Sequence, residues 1–414
     1  MISTEMRNFR TNFKYKIEGL DILFSDGTIE KINSGMVTHL YIEKDFDNLI
    51  FPIINLSVVI PDITYDRINR ENETVKFRVK VNKMIYNTAG TFLKYECLFN
   101  DIFICFLDKT VVVKDKDSYT TKKNVELTET QNDRSNNRQF YLFKEDVVTC
   151  KKIHNLSVSS ATLSDLVLYL YQATGINKLL MSKLDNQTSI KNLLLPTGNI
   201  VDCMRYLDEL KGFYRKGLLM FFDIDTAYFI DNSSKCTAWR KNEVRVTHMH
   251  VSNQQDNDSE LLGVYVDKDR KSSHIFTNTN RIQINNPNLI NDQLNGNNIT
   301  VVNNKHNKID KINEKTTQVG KANKKILVAK EDNQYTIETM KYRMRENECV
   351  MNITFSGIDL DVLTPNKEFL ITYEDTSLNV KYGGNYRLSK MAATLRKDGE
   401  ELVSAAECIF KKQE

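Results

Sequence analysis

The stretch Val75-Lys76-Phe77-Arg78-Val79-Lys80-Val81 alternates without a fault, apolar residues interleaved with basic ones. Side chains of a strand point alternately to its two faces. The heptad therefore reads as a β-strand with Val75, Phe77, Val79 and Val81 in a core and Lys76, Arg78 and Lys80 in solvent. Working outward, Phe13–Glu18, Leu20–Phe24, Val37–Ile42 and the apolar run Leu49–Ile60 precede it, the last interrupted by Pro52 and closed by Pro61. Phe92–Phe106 follows as one more apolar strand or a hairpin, and Ser25-Asp26-Gly27-Thr28 supplies a turn in which Gly27 is free to take positive φ. Short strands separated by turn signals predict an antiparallel barrel or sandwich, and a first β-barrel domain over residues 1–112.

Beyond it the character changes. Residues 113–138 are polar and aperiodic, and Gln139–Val148 returns to strand composition, so 113–149 is expected to be a linker or surface excursion. Residues 150–252 carry the two clearest helices and read as a small α+β domain. Thr162 caps the first, with Asp165 in the acidic position, a stripe of Leu163, Leu166, Val167 and Leu170, and Gly175 past the end. Asn199 caps the second, with Asp202, a stripe of Ile200, Met204, Leu207 and Leu210, and Gly212 closing it. Strands Leu218–Asp223 and Ala227–Asp231 flank a tight turn.

Residues 253–334 are rich in Asn and Lys, above all over 277–325, and are expected to form long loops with short strands at Leu261–Val266 and Arg281–Ile284. From Tyr335 strands resume: Glu348–Phe355, Glu368–Tyr373, Tyr386–Leu395 and Leu402–Phe410, the last two joined through Lys397-Asp398-Gly399-Glu400. A second β-barrel is predicted over 335–414, drawing in strands from 261–285. The fold class is mainly β with an α+β insertion: two antiparallel β-barrels and a small α+β domain.

Composition excludes several functions. The 57 basic and 54 acidic residues are spread along the chain, which gives no massed basic face for nucleic acid. Only 15 Gly in 414 residues weighs against phosphate-cradling loops. Seven Cys without a CxxC pair (Cys97, Cys105, Cys150, Cys203, Cys236, Cys349 and Cys408) suit reduced, buried thiols. No apolar stretch reaches the ~18 residues of a membrane span, and MISTEMRNFRTNFKYK offers no apolar core for a secretory leader.

Candidate chemistry is sparse. His248-Met249-His250 projects two imidazoles from one strand face, a usable zinc geometry for which the spacing suggests no third ligand. Asp223 and Asp225 bracket a turn, where bonds to local amides are the simpler role than a shared proton or a cation. Gly383-Gly384 is a glycine pair with no helix after it, and no GxSxG, SxxK, HExxH or Walker motif occurs. No catalytic, cofactor-binding or metal residue and no cofactor is assigned, and the chain is expected to be structural, not an enzyme. Leu49-Ile50-Phe51-Pro52-Ile53-Ile54 is richer in apolar residues than one covered face requires; it is either buried on both sides or a subunit contact.

Two regions then point to a family. Leu193-Leu194-Leu195-Pro196-Thr197-Gly198-Asn199, a helix ending in Tyr206-Leu207-Asp208, Gly212-Phe213-Tyr214-Arg215-Lys216-Gly217 and Phe221-Phe222-Asp223 resemble the inserted domain of baseplate hub proteins of contractile-tailed bacteriophages. Gly384-Asn385-Tyr386-Arg387-Leu388-Ser389-Lys390 with Lys397-Asp398-Gly399-Glu400-Glu401 is similar to the hairpin near their C-terminus. The resemblance covers residues 150–235 and 344–412, and loosely the first barrel, and it implies two tail-tube-like barrels per chain in a homotrimeric ring. It further implies a structural virion protein of the tail baseplate, assembled in the host cytoplasm, adapting a sixfold tail tube to a threefold central spike. The implied partners are further copies of itself, the tail tube protein, the spike or cell-puncturing protein, and the tape-measure and baseplate-wedge proteins, with DNA only as passing cargo. A distal-tail or tail-associated protein of a non-contractile phage, and a tail-associated cell-wall hydrolase, are the competing readings.

Overall fold

The computed structural model describes residues 12–71, 74–87, 90–107, 136–145, 156–176, 178–224, 226–233, 238, 243–253, 263–267, 272–285, 297–303, 308–313, 323–328, 333, 335–346, 349–399 and 401–413. The N-terminal part forms β1 (Asn12–Leu23), β2 (Ile29–Ile32), β3 (Val37–Asp45), β4 (Ile53–Ile60), helix α1 (Asp62–Glu71), β5 (Lys76–Tyr86), β6 (Phe92–Leu107) and β7 (Asn136–Lys144). An insertion follows: β8 (Ser157–Thr162), α2 (Leu163–Gln172), β9 (Leu179–Met181), β10 (Ser189–Leu194), α3 (Ile200–Lys211), β11 (Leu218–Phe222) and β12 (Ala227–Asp231). Then come β13 (Val246–Ser252), β14 (Gly263–Asp267), β15 (Ser272–Asn278), β16 (Ile282–Asn285), β17 (Asn297–Asn303), β18 (Lys308–Asn313) and β19 (Asn323–Val328). The chain closes with α4 (Thr336–Glu346), β20 (Val350–Ser356), β21 (Glu368–Tyr373), α5 (Thr376–Tyr382), β22 (Gly384–Asp398) and β23 (Glu401–Lys412).

The protein is mainly β, as the alternating sequence predicts. Strands β22, β3, β4, β7, β6, β5, β1 and β23 pair in that order, and β23 pairs back to β22, closing an eight-stranded antiparallel barrel. Its interior is filled by side chains such as Tyr15, Ile22, Leu40, Leu56, Phe77 and Phe140, all buried. A second sheet runs β14, β15, β13, β21, β22, β23, β20, β16, with β13 parallel to both β15 and β21.

The hairpin β22–β23 belongs to both. Residues 390–396 of β22 pair with β3, whereas residues 384–386 pair with β21. On β23, Leu402 pairs with Tyr15 of β1 and residues 405–411 pair with β20. A register shift between Leu388 and Lys390 marks the change of partner, the bend that a β-bulge gives a strand.

Three boundaries differ from those expected. A barrel confined to 1–112 cannot close: β7 and the C-terminal hairpin supply three of its eight strands. Strand β13, placed by sequence in the α+β domain of 150–252, lies in the second sheet instead. Within the Asn/Lys-rich tract, β17, β18 and β19 form a sheet of their own, because β-branched pairs such as Val301-Val302 survive among the polar residues. The excursion over 113–135 lies outside the described residues.

The two helices of the insertion are capped where the sequence placed their starts. Thr162 Oγ1 accepts from the Asp165 amide at 3.1 Å and Asn199 Oδ1 from the Asp202 amide at 3.0 Å, so both caps form as predicted. Helix α4, which the sequence did not mark, packs on the loop Gly212–Gly217. Gly217 has φ +99°, and a Cβ there would lie 2.9 Å from Thr339 Cγ2. Gly217→Ala is therefore expected to cost about 1–3 kcal/mol in urea unfolding. Gly175→Ala, at φ +76° with open space around it, carries only the backbone penalty and should cost less. Equal costs would show that α4 does not constrain the loop.

Candidate functional site

The family-like run Gly384-Asn385-Tyr386-Arg387 enters β22, and its arginine ends in the interior, 2% exposed. Arg387 grips Glu346, the last residue of α4, through Nε (2.6 Å) and Nη2 (3.1 Å), and Asp47, after β3, through Nη1 (2.9 Å). Glu346 also accepts from Asn232 at 3.0 Å and Gln413 at 2.6 Å; Asp47 also accepts from Ser389 at 2.5 Å and Lys411 at 2.7 Å. Burial alone would raise the Asp47 carboxyl, but Arg387 and Lys411 outweigh it and hold it well below the usual carboxylate range. One guanidinium thus joins the first barrel, the end of the insertion, α4 and the shared hairpin.

A second buried cation clamps a different set of segments. The alternation of β5 breaks at an irregularity between Val81 and Asn82, and Lys83 is buried. Its ammonium lies 3.0 Å from Asp359, 2.7 Å from Asp361 and 3.1 Å from Glu96. Burial works against that charge, yet Asp359 and Asp361 raise the Lys83 pKa above its ordinary value. Tyr15 completes the clamp, its hydroxyl donating to the Ile358 carbonyl (3.1 Å) and accepting from the Leu360 amide (3.0 Å).

The apolar stretch Leu49–Ile54 meets its cover within the chain. The Phe222 amide donates to the Ile50 carbonyl at 2.7 Å, Phe51 stacks on Phe222 at 5.0 Å, and Phe46 meets Phe221 edge-on at 4.7 Å. Of its two expected roles, burial holds for this part: the insertion docks here. Asp223 has the local role predicted, accepting from the Ile224 amide at 2.7 Å, and is ion-paired to Lys44 at 2.6 Å. Asp225 lies outside the described residues. A cavity of about 450 Å³ remains between barrel and insertion, walled by Phe51, Leu98, Phe103 and Phe222.

The histidine pair gains a neighbour that sequence spacing could not reveal. Parallel pairing sets His274 of β15 directly beside His248 of β13. His250 Nε2 lies 3.1 Å from His274 Nδ1. Burial lowers the pKa of His248; it lowers that of His250 to about 4, helped by His274 and His248. Elsewhere, β6 puts Phe92 (41%), Leu93 (54%) and Tyr95 (52%) into solvent, and among the described residues its pairing with β7 begins only at Phe103. Gly383 ends α5 and Gly384 starts β22.

Sequence reading missed Lys83, Asp47 and Glu346. A lone charge at an inward position, as at Lys83, is the signal available in principle, but the irregularity in β5 hides it.

A family model described as Bacteriophage PBS1 gene 109 protein matches residues 1–413. No curated protein matches the sequence. Among solved structures, the tail protein from Neisseria meningitidis MC58 is similar, with a TM-score of 0.51 and 11% identity over 98% of this chain and 97% of that one. The 43 kDa tail protein of prophage MuSo2 from Shewanella oneidensis gives a TM-score of 0.48 at 10% identity, covering 96% of each chain. A chain of the Francisella PdpA–VgrG complex gives 0.45 at 9% identity, over 97% of this chain and 58% of that one. At such identities the first likeness is one of fold.

Proposed function

Because the chain belongs to the bacteriophage PBS1 gene 109 protein family, we propose that it is the hub of a phage tail baseplate. Three copies form a ring that adapts the sixfold tail tube to the threefold central spike and initiates tube assembly. The observation that carries this reading is the pair of eight-stranded units built round one hairpin in each chain. Three chains then present six such units, the number a sixfold tube needs, on a scaffold of threefold symmetry. The likeness in fold to a tail protein supports the same place in the virion. The role is mechanical: the buried cations Arg387 and Lys83 are held by ion pairs that join parts of the chain, so the units move as one body.

The bore of the closed barrel is packed with side chains. DNA, as passing cargo, therefore travels between copies and not through a barrel. The partners are the chain itself, the tube protein and the spike, with tape-measure and wedge proteins around them. Phe92, Leu93 and Tyr95, exposed on a strand edge with no partner on the β7 side among the described residues, are the apolar residues we assign to contact between copies. Mass measurement in solution, alone and with tube and spike proteins, should give a trimer; Leu93→Asp should weaken it at least tenfold while leaving the monomer folded. A strictly monomeric chain in the presence of both partners would overturn the hub reading.

A further inference from the structure

We propose that His248, His250 and His274 form a binding site for a borderline first-row dication, zinc foremost, on the outer face of the second sheet. The site is independent of the hub reading. Three of the six histidines in the chain meet here, two by the i, i+2 spacing of β13 and the third by the parallel register with β15. Their ring centres are 4.9, 5.4 and 6.4 Å apart. A zinc ion bound about 2.05 Å from a ring nitrogen lies about 3.2 Å from the ring centre, so two ligands at the tetrahedral angle have centres about 5.2 Å apart. The observed triangle brackets that value.

The pair in contact through its ring nitrogens sharpens the geometry. His250 and His274 have planes within 8° and centres 5.4 Å apart, with the nitrogens at 3.1 Å. Those figures describe rings meeting edge to edge, not face to face. The nitrogen separation is close to the ~3.3 Å between two ligands on one metal. As the rings stand, no three ligand groups among the described residues converge on one point. Convergence requires turning imidazoles about their Cβ–Cγ bonds, a broad and soft torsion, and all three side chains are only partly buried. Imidazole ligands suit zinc, nickel and cobalt over magnesium or calcium. Glu368, on the same face of β21, acts on His248 with a negative charge that favours a dication, and Phe276 walls the far side at 5.0 Å from His250.

The experiment is titration of the full-length, metal-stripped chain with Co²⁺ and Zn²⁺. Expected are one ion per chain, tetrahedral Co²⁺ absorption displaced by Zn²⁺, and an unfolding midpoint raised by a few degrees at saturating zinc. His248→Gln, His250→Gln and His274→Gln should each weaken binding at least tenfold, and His39→Gln, on β3, should not. Absence of saturable binding by the wild-type chain below millimolar metal would sink the proposal whatever the variants do. So would one-to-one binding that survives all three substitutions in chains whose circular dichroism is unchanged.

Discussion

Arg387→Met is expected to destabilise the folded chain by about 3–5 kcal/mol, the usual cost of removing one partner from a buried charge network. The loss exceeds that of two ordinary hydrogen bonds because of what remains. Glu346 would keep Asn232 and Gln413 as neutral donors with no cation among the described ion pairs, and Asp47 would retain Lys411 and the neutral Ser389 hydroxyl. Urea unfolding followed by tryptophan fluorescence and circular dichroism measures the effect. Adding Glu346→Gln to Arg387→Met removes the stranded charge and should recover part of the loss. A single substitution costing under about 1 kcal/mol would mean that water reaches the guanidinium and that the network joins nothing.

Truncation after Gly383 should be more damaging still: residues 1–383 are expected to show no cooperative unfolding transition. The missing hairpin carries Tyr386, Leu388, Met391, Leu395, Leu402 and Phe410, all buried. At about 1.5–3 kcal/mol for each fully buried large side chain, these six together are as large as the whole 5–15 kcal/mol by which a domain is normally stable. The edges of β1, β3, β20 and β21 would also lose their partners. The same logic predicts that a fragment ending at residue 145 does not fold alone, although it holds six of the eight barrel strands. Limited proteolysis and near-ultraviolet circular dichroism distinguish the outcomes. A sharp transition in either fragment would show that the barrel closes by another route, and a peptide of residues 384–414 added in trans should restore protection.

What could be read from the sequence divides along a physical line. Local signals were legible: the apolar members of Val75–Val81 are buried, β5 taking up the alternation from Lys76, and Thr162 and Asn199 each cap a helix. Helix α1 escaped because only Asp62, Thr64 and Ile68 of its ten residues are buried, too few to print an apolar stripe. Non-local pairing was legible only in part: the joining of 261–285 to the last strands was expected, the sharing of the C-terminal hairpin was not. Nothing in residues 384–412 announces that they serve two sheets, since pairing with β3 or with β21 makes the same demand on the side chains. The site residues follow suit. His248 and His250 are visible as a pair, whereas His274 joins them only through a parallel register, and the Lys83 position is masked by one irregularity in β5.

The pairing of Tyr15 with Leu402 has a consequence in time. A ribosome makes the chain from its N-terminus at about 5–20 residues per second, so β1 waits for nearly the whole of translation before β23 exists to cover it. During that interval the incomplete sheet shows bare edges on β1 and β3, where like chains on one message can pair wrongly. The same delay acts as a checkpoint. A prematurely terminated polypeptide has no closed barrel to offer, so only copies that reach β23 present one to a partner.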